Sequence, residues 1–195
     1  MWETTNRQLI AQFDGPRLDN GLAASTAVLA FSPSSELVAA GFTKASSLVV
    51  WDLIANRPKW RLPERKVYAV LDCAFSPGGE QIATACPDGT VKLWSLKDKS
   101  EPEPISIGFQ SGMQTCVAYA PDGKRLATSG DEDQPIKIWD TETRQEVARL
   151  KGEFDFFHKL AFLPDGDTLV AASQREVRIW RAANFSEIAN ARSGK

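Results

Sequence analysis

The tryptophans of this chain recur at a near-constant interval, and this repetition constrains the fold more than any other feature. Trp51, Trp94, Trp139 and Trp180 are separated by 43, 45 and 41 residues, and each ends a short apolar run. The runs read SLVVW, TVKLW, PIKIW and EVRIW. The sequence therefore predicts an array of similar units.

A second motif precedes each tryptophan. It consists of an apolar run, a turn that contains proline and a second apolar run, as in DCAFSPGGEQIATA and CVAYAPDGKRLATS. Proline fixes φ in such a turn, and a following Gly-Gly or Asp-Gly supplies the flexible positions. Each unit is therefore predicted to begin with a β-hairpin, whose turns contain Pro33, Pro77, Pro121 and Pro164.

A further strand is predicted after each tryptophan, in constant register. An apolar residue of this segment lies eleven positions after a tryptophan in each case: Phe13, Leu62, Ile105 and Leu150. The N-terminal WETTNRQLIAQF also matches WDTETRQEVARL almost residue for residue. We therefore expect an outer strand at residues 7–13 and four short strands per unit, which is an all-β organisation.

These motifs carry a family resemblance. The period, the FSPGG and APDG hairpins and the DGTVKLW and PIKIWD runs resemble WD40 β-propeller repeats from Trp2 to about Arg181. The resemblance implies four four-stranded blades within a propeller segment at residues 1–183. We place the blades at about residues 22–63, 66–109, 112–152 and 155–183. The four repeated tryptophans are expected to be structural, because a large ring packs well between neighbouring sheets.

The repeats depart from the family pattern in their polar residues. In the family, a Gly-His pair before the first strand and an Asp in the turn between the second and third strands form a buried network with the tryptophan. The histidine is missing from every copy here, whereas Asp88 and Asp133 hold the turn position. We expect both to cap local backbone N–H groups. Apolar packing is expected to hold these repeats more than the polar network does.

Four blades are few for this family, whose propellers usually have seven or eight. Either the strand at 7–13 clasps the fourth blade within one molecule, or the chain is half of a seven- or eight-bladed ring. We favour the half ring, with a homodimer that completes an eight-bladed ring as the alternative. Asn184 and Glu187 have the spacing of a capping box, so a short C-terminal helix is expected within residues 184–195.

Composition excludes several classes of protein. The chain has 195 residues and a net charge of −2, without the basic surplus that nucleic-acid binding requires. Its apolar runs are far shorter than the roughly 18 residues that cross a membrane, and no secretory signal is visible. Three scattered cysteines and one histidine make no local metal site, and no cofactor is expected. We expect a cytoplasmic protein with reduced thiols.

Enzyme signatures are missing as well. The sequence has no phosphate-binding loop, dinucleotide fingerprint or HExxH motif, and its glycine-containing hairpins precede strands rather than helices. His158 would have to serve any triad, yet it lies at the start of a predicted inner strand. We therefore expect a non-catalytic protein.

Loops at one face of such a propeller are the usual docking surface in the family. We expect the loops that lead into first strands, and those between second and third strands, to form a partner-binding rim. Its candidate residues are Phe42, Arg65, Lys66, Tyr68, Phe109, Asp131, Glu132, Phe154, Phe156 and Arg175. The phenylalanines of EFDFFH could instead all be core, and loop charges are often merely solvated.

The repeat style and the WRAANFSEIANAR ending resemble bacterial WD40 proteins, in which such propellers form the C-terminal part of larger chains. We expect an interaction scaffold that binds a protein or peptide through one propeller face. The alternative is a structural repeat segment of a larger propeller attached to an enzymatic domain, such as a serine/threonine kinase.

Overall fold

The computed structural model describes residues 12–13, 26–42, 47–62, 69–97, 105–109, 116–130, 136–150 and 156–182. Every regular element within these ranges is a β-strand, and the strands form four antiparallel sheets in chain order. Each sheet is one blade. The expected all-β class with WD40-type blades is therefore confirmed.

The strands of each blade follow one another in space as they do in sequence. Blade 1 contains β1 (Thr26–Phe31), β2 (Leu37–Phe42), β3 (Ser47–Asp52) and β4 (Arg57–Arg61). Blade 2 contains β5 (Asp72–Phe75), β6 (Gln81–Ala85), β7 (Thr90–Ser95) and β8 (Ile105–Phe109). Blade 3 contains β9 (Cys116–Tyr119), β10 (Arg125–Ser129), β11 (Ile136–Asp140) and β12 (Glu146–Leu150). Blade 4 contains β13 (Phe157–Phe162), β14 (Thr168–Ser173) and β15 (Val177–Arg181).

The predicted hairpins form because one turn residue in each adopts a left-handed backbone. Gly79, Gly123 and Gly166 have φ values of 71°, 71° and 74°. In each turn the glycine N–H donates to the carbonyl three residues earlier, as from Gly79 to Ser76 at 2.8 Å. Blade 1 places Ser35 at this position with φ 58°, a conformation that costs a non-glycine residue some strain.

Apolar side chains from consecutive blades form the core between them. Because side chains alternate along a strand, each sheet presents one apolar face to the blade before it and one to the blade after it. Between blades 1 and 2, Val50 of β3 packs in one cluster with Ile82 and Trp94, and all three are fully buried. Equivalent clusters join blades 2 and 3 and blades 3 and 4. The blades are therefore stacked side by side through repeated interfaces.

One buried carboxylate connects three blades. Asp72, at the start of β5, accepts a hydrogen bond from the N–H of Val117 in blade 3 at 3.1 Å. It also forms an ion pair with Lys159 of blade 4, whose Nζ lies 2.9 Å from Oδ1. Burial raises the pKa of Asp72, while Lys159 and the backbone donors act in the opposite direction. The inner strands of blades 2, 3 and 4 thus share one polar contact.

Two sequence predictions fall largely outside the described residues. The C-terminal helix predicted at 184–195 lies wholly outside them. Of the outer strand predicted at 7–13, only Gln12 and Phe13 are described. The ring of Phe13 packs on Trp51, with 5.6 Å between ring centroids. This residue therefore lies on blade 1, on the face opposite to blade 2.

Candidate partner-binding surface

Loops from several blades meet at one end of the sheets. In an up-and-down sheet, the turn between the second and third strands lies at the same end as the chain leading into the first strand. The described residues at this end include 69–71 and 86–89 of blade 2, Gly130 of blade 3, Phe156, and 173–176 of blade 4. We call these residues the upper face.

Asp88 organises the turn of blade 2 at the upper face. Its carboxylate accepts a hydrogen bond from the N–H of Thr90 at 3.0 Å and one from Lys92 Nζ at 2.9 Å. Partial burial raises the pKa of Asp88, but the hydrogen bonds from Thr90 and Lys92 outweigh it and hold this pKa below its ordinary value. Asp88 caps local backbone as the sequence indicates, while half of its side chain stays exposed.

Two tryptophans make buried hydrogen bonds that the sequence analysis missed. Trp94 Nε1 donates to Thr84 Oγ1 at 2.9 Å, and Trp139 Nε1 donates to Thr128 Oγ1 at the same distance. The threonines lie on the second strand of their blades, opposite the lysine two residues before each tryptophan. The corresponding positions of blades 1 and 4 are Ala40 and Ala171. A tryptophan–threonine bond therefore persists in blades 2 and 3 without the family's histidine.

The repeated tryptophans lie in the apolar clusters of the blades. Trp51, Trp94 and Trp139 are almost completely buried. Trp180 is half-buried and packs against the cluster between blades 3 and 4.

The aromatic stretch of blade 4 divides between core and surface. Phe157 is buried, with its ring centroid 6.2 Å from that of Trp180 and with Arg178 over the ring at 5.8 Å. Phe156 is half-buried and makes an edge contact with His158 at 5.1 Å between centroids. His158 is exposed. Adjacent phenylalanines therefore have different environments, as period-two alternation requires.

A tight turn presents Arg175 at the same end of blade 4. Ser173 Oγ accepts hydrogen bonds from the N–H groups of Arg175 and Glu176, both at 3.1 Å. Ser173 N–H donates to the carbonyl of Glu176 at 3.0 Å, which closes the turn. Because Phe157 pairs with Ser173 across the strands, the turn and Phe156 belong to the same end of this sheet. Exposed Arg175 and the aromatic pair of Phe156 and His158 therefore lie at the same end of blade 4.

One rim prediction is wrong. Phe42 is only 3% exposed because β2 extends through it, and alternation places its ring beside Trp51 at 6.5 Å. Phe109 is the last residue of β8 and pairs with Thr90, and its place on the rim stays a prediction. Six rim candidates lie outside the described residues: Arg65, Lys66, Tyr68, Asp131, Glu132 and Phe154. The predicted turn cap Asp133 lies outside them as well.

Within the described ranges, no three His, Cys, Asp or Glu side chains are grouped to hold a metal ion. The three cysteines are buried thiols outside any disulfide, and burial raises the pKa of Cys73 to about 12. Among the same residues, no helix has the length and apolar character needed to cross a membrane.

The repeats of this chain match those of a known protein family. The WD40 family, described as WD domain, G-beta repeat, matches residues 59–95, 104–140 and 144–181, which is more than half of the chain. Protein HIR1 of Kluyveromyces lactis is 28% identical over 64% of this chain and 18% of its own length. The periodic tryptophan protein 2 homolog of Dictyostelium discoideum is 29% identical over 73% of this chain and 17% of its own.

A third relative is the guanine nucleotide-binding protein subunit beta-1 of Caenorhabditis briggsae, 26% identical over 73% of this chain and 41% of its own length. The chain thus spans less than half the length of these curated relatives. They come from a yeast, a slime mould and a nematode, so they give no support to the expected bacterial type.

Proposed function

Because the chain belongs to the WD40 repeat family, we propose that it is a non-catalytic interaction scaffold that binds a protein or peptide through its upper face. The observation that carries the proposal is the end of blade 4. There a hydrogen-bonded turn fixes the backbone of exposed Arg175, and Phe156 with His158 provides an aromatic pair. Cations and aromatic rings presented on fixed backbone are typical anchors of protein interfaces.

The chemistry of this surface favours a particular kind of peptide. Arg175 offers a planar donor that pairs well with a carboxylate. Phe156 offers partly exposed apolar area beside it. A peptide with an acidic residue next to an aromatic or aliphatic residue would therefore match both groups.

Selection from a random peptide library, followed by fluorescence anisotropy, tests the proposal. We expect enriched peptides to be acidic and apolar, and Arg175→Glu to weaken their binding at least tenfold because it reverses the charge. Phe156→Ala should weaken binding without changing the preference for acidic residues. Lys124→Glu is the matched control, since Lys124 is exposed in a turn at the opposite end of the sheets. Equal affinity of the Arg175→Glu and Lys124→Glu variants would contradict the proposal.

A second candidate role rests on the share of the relatives that the chain spans. It covers 17% to 41% of the three relatives, so it could serve as a structural repeat segment of a larger propeller attached to an enzymatic domain, such as a serine/threonine kinase. Reading the coding frame upstream of Met1 tests this role. Further repeats and a kinase catalytic segment would support it, and a stop codon directly upstream would contradict it. A cytoplasmic location without nucleic-acid or membrane partners stays a prediction.

A further inference from the structure

The first blade exposes residues whose equivalents in the later blades are buried or half-buried. In β1, Leu29 is 59% exposed and Phe31 is 64% exposed. Their equivalents in β5 are Cys73 and Phe75, at 1% and 7%. The motif is the same in both strands, but Cys73 and Phe75 pack on a preceding blade. The rear face of blade 1, which contains Leu29 and Phe31, therefore resembles one side of an interblade interface, and no described blade covers it.

The last blade exposes the opposite half of that interface. In β15, Val177 is 63% exposed and Ile179 is 66% exposed. The same positions of β11 are Ile136 and Ile138, at 1% and 7%, because blade 4 covers them. Among the described strands, none covers the front face of blade 4, which contains Val177 and Ile179. One molecule does not close a four-bladed ring, since both faces would then be covered.

Phe13 shows which part of the missing blade this chain already supplies. Leu62, at the end of the outer strand of blade 1, packs in one cluster with Trp94 of the next blade. Phe13 has the equivalent relation to Trp51, so it takes the place of an outer-strand residue from a blade before blade 1. What that position still lacks is the three inner strands of a blade. Blade 4 has three strands among the described residues and exposes the matching face.

We propose that two copies of the chain associate head to tail, so that the front face of blade 4 in each copy covers the rear face of blade 1 in the other. Phe13 then takes the outer-strand position beside blade 4 of the partner copy at each junction. Four blades from each copy give eight, which lies within the range of closed propellers. A heterologous contact of this kind closes when its rotation returns to the start after two copies.

A second copy fits this surface because both halves of the contact occur on the chain and its internal interfaces show how they pack. Each exposed pair consists of large apolar side chains, whose transfer from water is the main favourable term in association. Peptides have no comparable sheet face to offer. The occupant is therefore a blade of the same kind.

The oligomeric state of the 195-residue chain tests the proposal. Sedimentation velocity should give a dimer of twice 21.4 kDa. Phe31→Glu and Ile179→Glu should each give a folded monomer at the same concentration, with at least a hundredfold weaker self-association. Val147→Glu is the matched control, because Val147 is 56% exposed but lies on the outer strand of blade 3, away from both end faces. Circular dichroism checks that each variant is folded.

Mixing the two monomeric variants separates head-to-tail from face-to-face association. In a mixed pair, one junction joins two unaltered faces and the other joins two altered ones. We therefore expect the mixture to form heterodimers, whereas each variant alone stays monomeric. A monomeric wild-type chain, a polydisperse ladder of head-to-tail oligomers, or a mixture that stays monomeric would each overturn the proposal.

Discussion

The hydrogen bond between Trp94 and Thr84 allows a quantitative test of what holds blade 2 together. Trp94 Nε1 lies 2.9 Å from Thr84 Oγ1, and both residues are 1% exposed. The substitution Thr84→Val keeps the volume and β-branching of the side chain but removes the oxygen. The indole N–H then loses this acceptor at a site that water does not reach.

The expected cost follows from burial. A net intramolecular hydrogen bond contributes about 1 kcal/mol, whereas a buried donor left without its partner costs about 1–3 kcal/mol. Since both partners are buried, we expect Thr84→Val to lower the free energy of unfolding by about 2 kcal/mol. Thr128→Val should cost a similar amount, because the Trp139 bond in blade 3 has the same length.

A double-mutant cycle measured by urea denaturation isolates the bond from the other effects of each substitution. In a Trp94→Phe background there is no indole donor, so Thr84→Val should cost less than half of what it costs in the wild type. Circular dichroism should follow unfolding, because Trp94→Phe also changes the fluorescence. If Thr84→Val destabilises both backgrounds equally, the bond contributes nothing and the reasoning fails.

Further predictions concern packing, pH and thiol reactivity. Gly41→Ala should lower the free energy of unfolding by about 1–3 kcal/mol, because a Cβ there would lie 2.7 Å from Val70 Cγ1. Gly78→Ala should leave the free energy of unfolding unchanged, because a Cβ there would have no atom within 4 Å. Equal denaturation midpoints of the Gly41→Ala and Gly78→Ala variants would contradict this prediction. Hydrogen bonds from Thr168 lower the pKa of Asp165 from 3.8, so its stabilisation is present above that pH and is lost as pH falls through the lowered value. Asp165→Asn should accordingly destabilise the protein less at low pH than at pH 7, and an equal effect at both would contradict this. The buried cysteines should react with a thiol reagent at pH 8 only after denaturation, and rapid labelling of the native protein would contradict their burial.

The repeat made the strands and hairpins predictable, since each rests on local chemistry. Proline fixes the first turn of each unit, with glycine at the left-handed position in blades 2 to 4, and Asp88 caps its own loop within two residues. Such features need no knowledge of distant residues. Phe42 shows the limit of local reading, because its burial depends on β2 continuing one residue beyond Gly41 and on which face that residue then takes.

Properties that depend on register or on neighbouring blades could not be predicted. Thr84 meets Trp94 only because β6 and β7 pair in one register, which the sequence does not specify. Leu29 and Cys73 occupy the same position of the same motif, yet one is exposed and the other buried. The difference lies in what precedes each blade, and the strand itself does not encode it.

The contact of Asp72 with Val117 and Lys159 changes how the array responds to damage. In simple repeat proteins, stability is a sum over units and nearest-neighbour interfaces, so the loss of one unit affects only those beside it. Here blade 2 is also bonded to blade 4, which is its second neighbour. Disruption of blade 3 therefore leaves a buried carboxylate in blade 2 without one donor and loosens the ion pair to blade 4. We therefore expect blades 2 to 4 to unfold together, so that a defect in blade 3 also weakens blades 2 and 4.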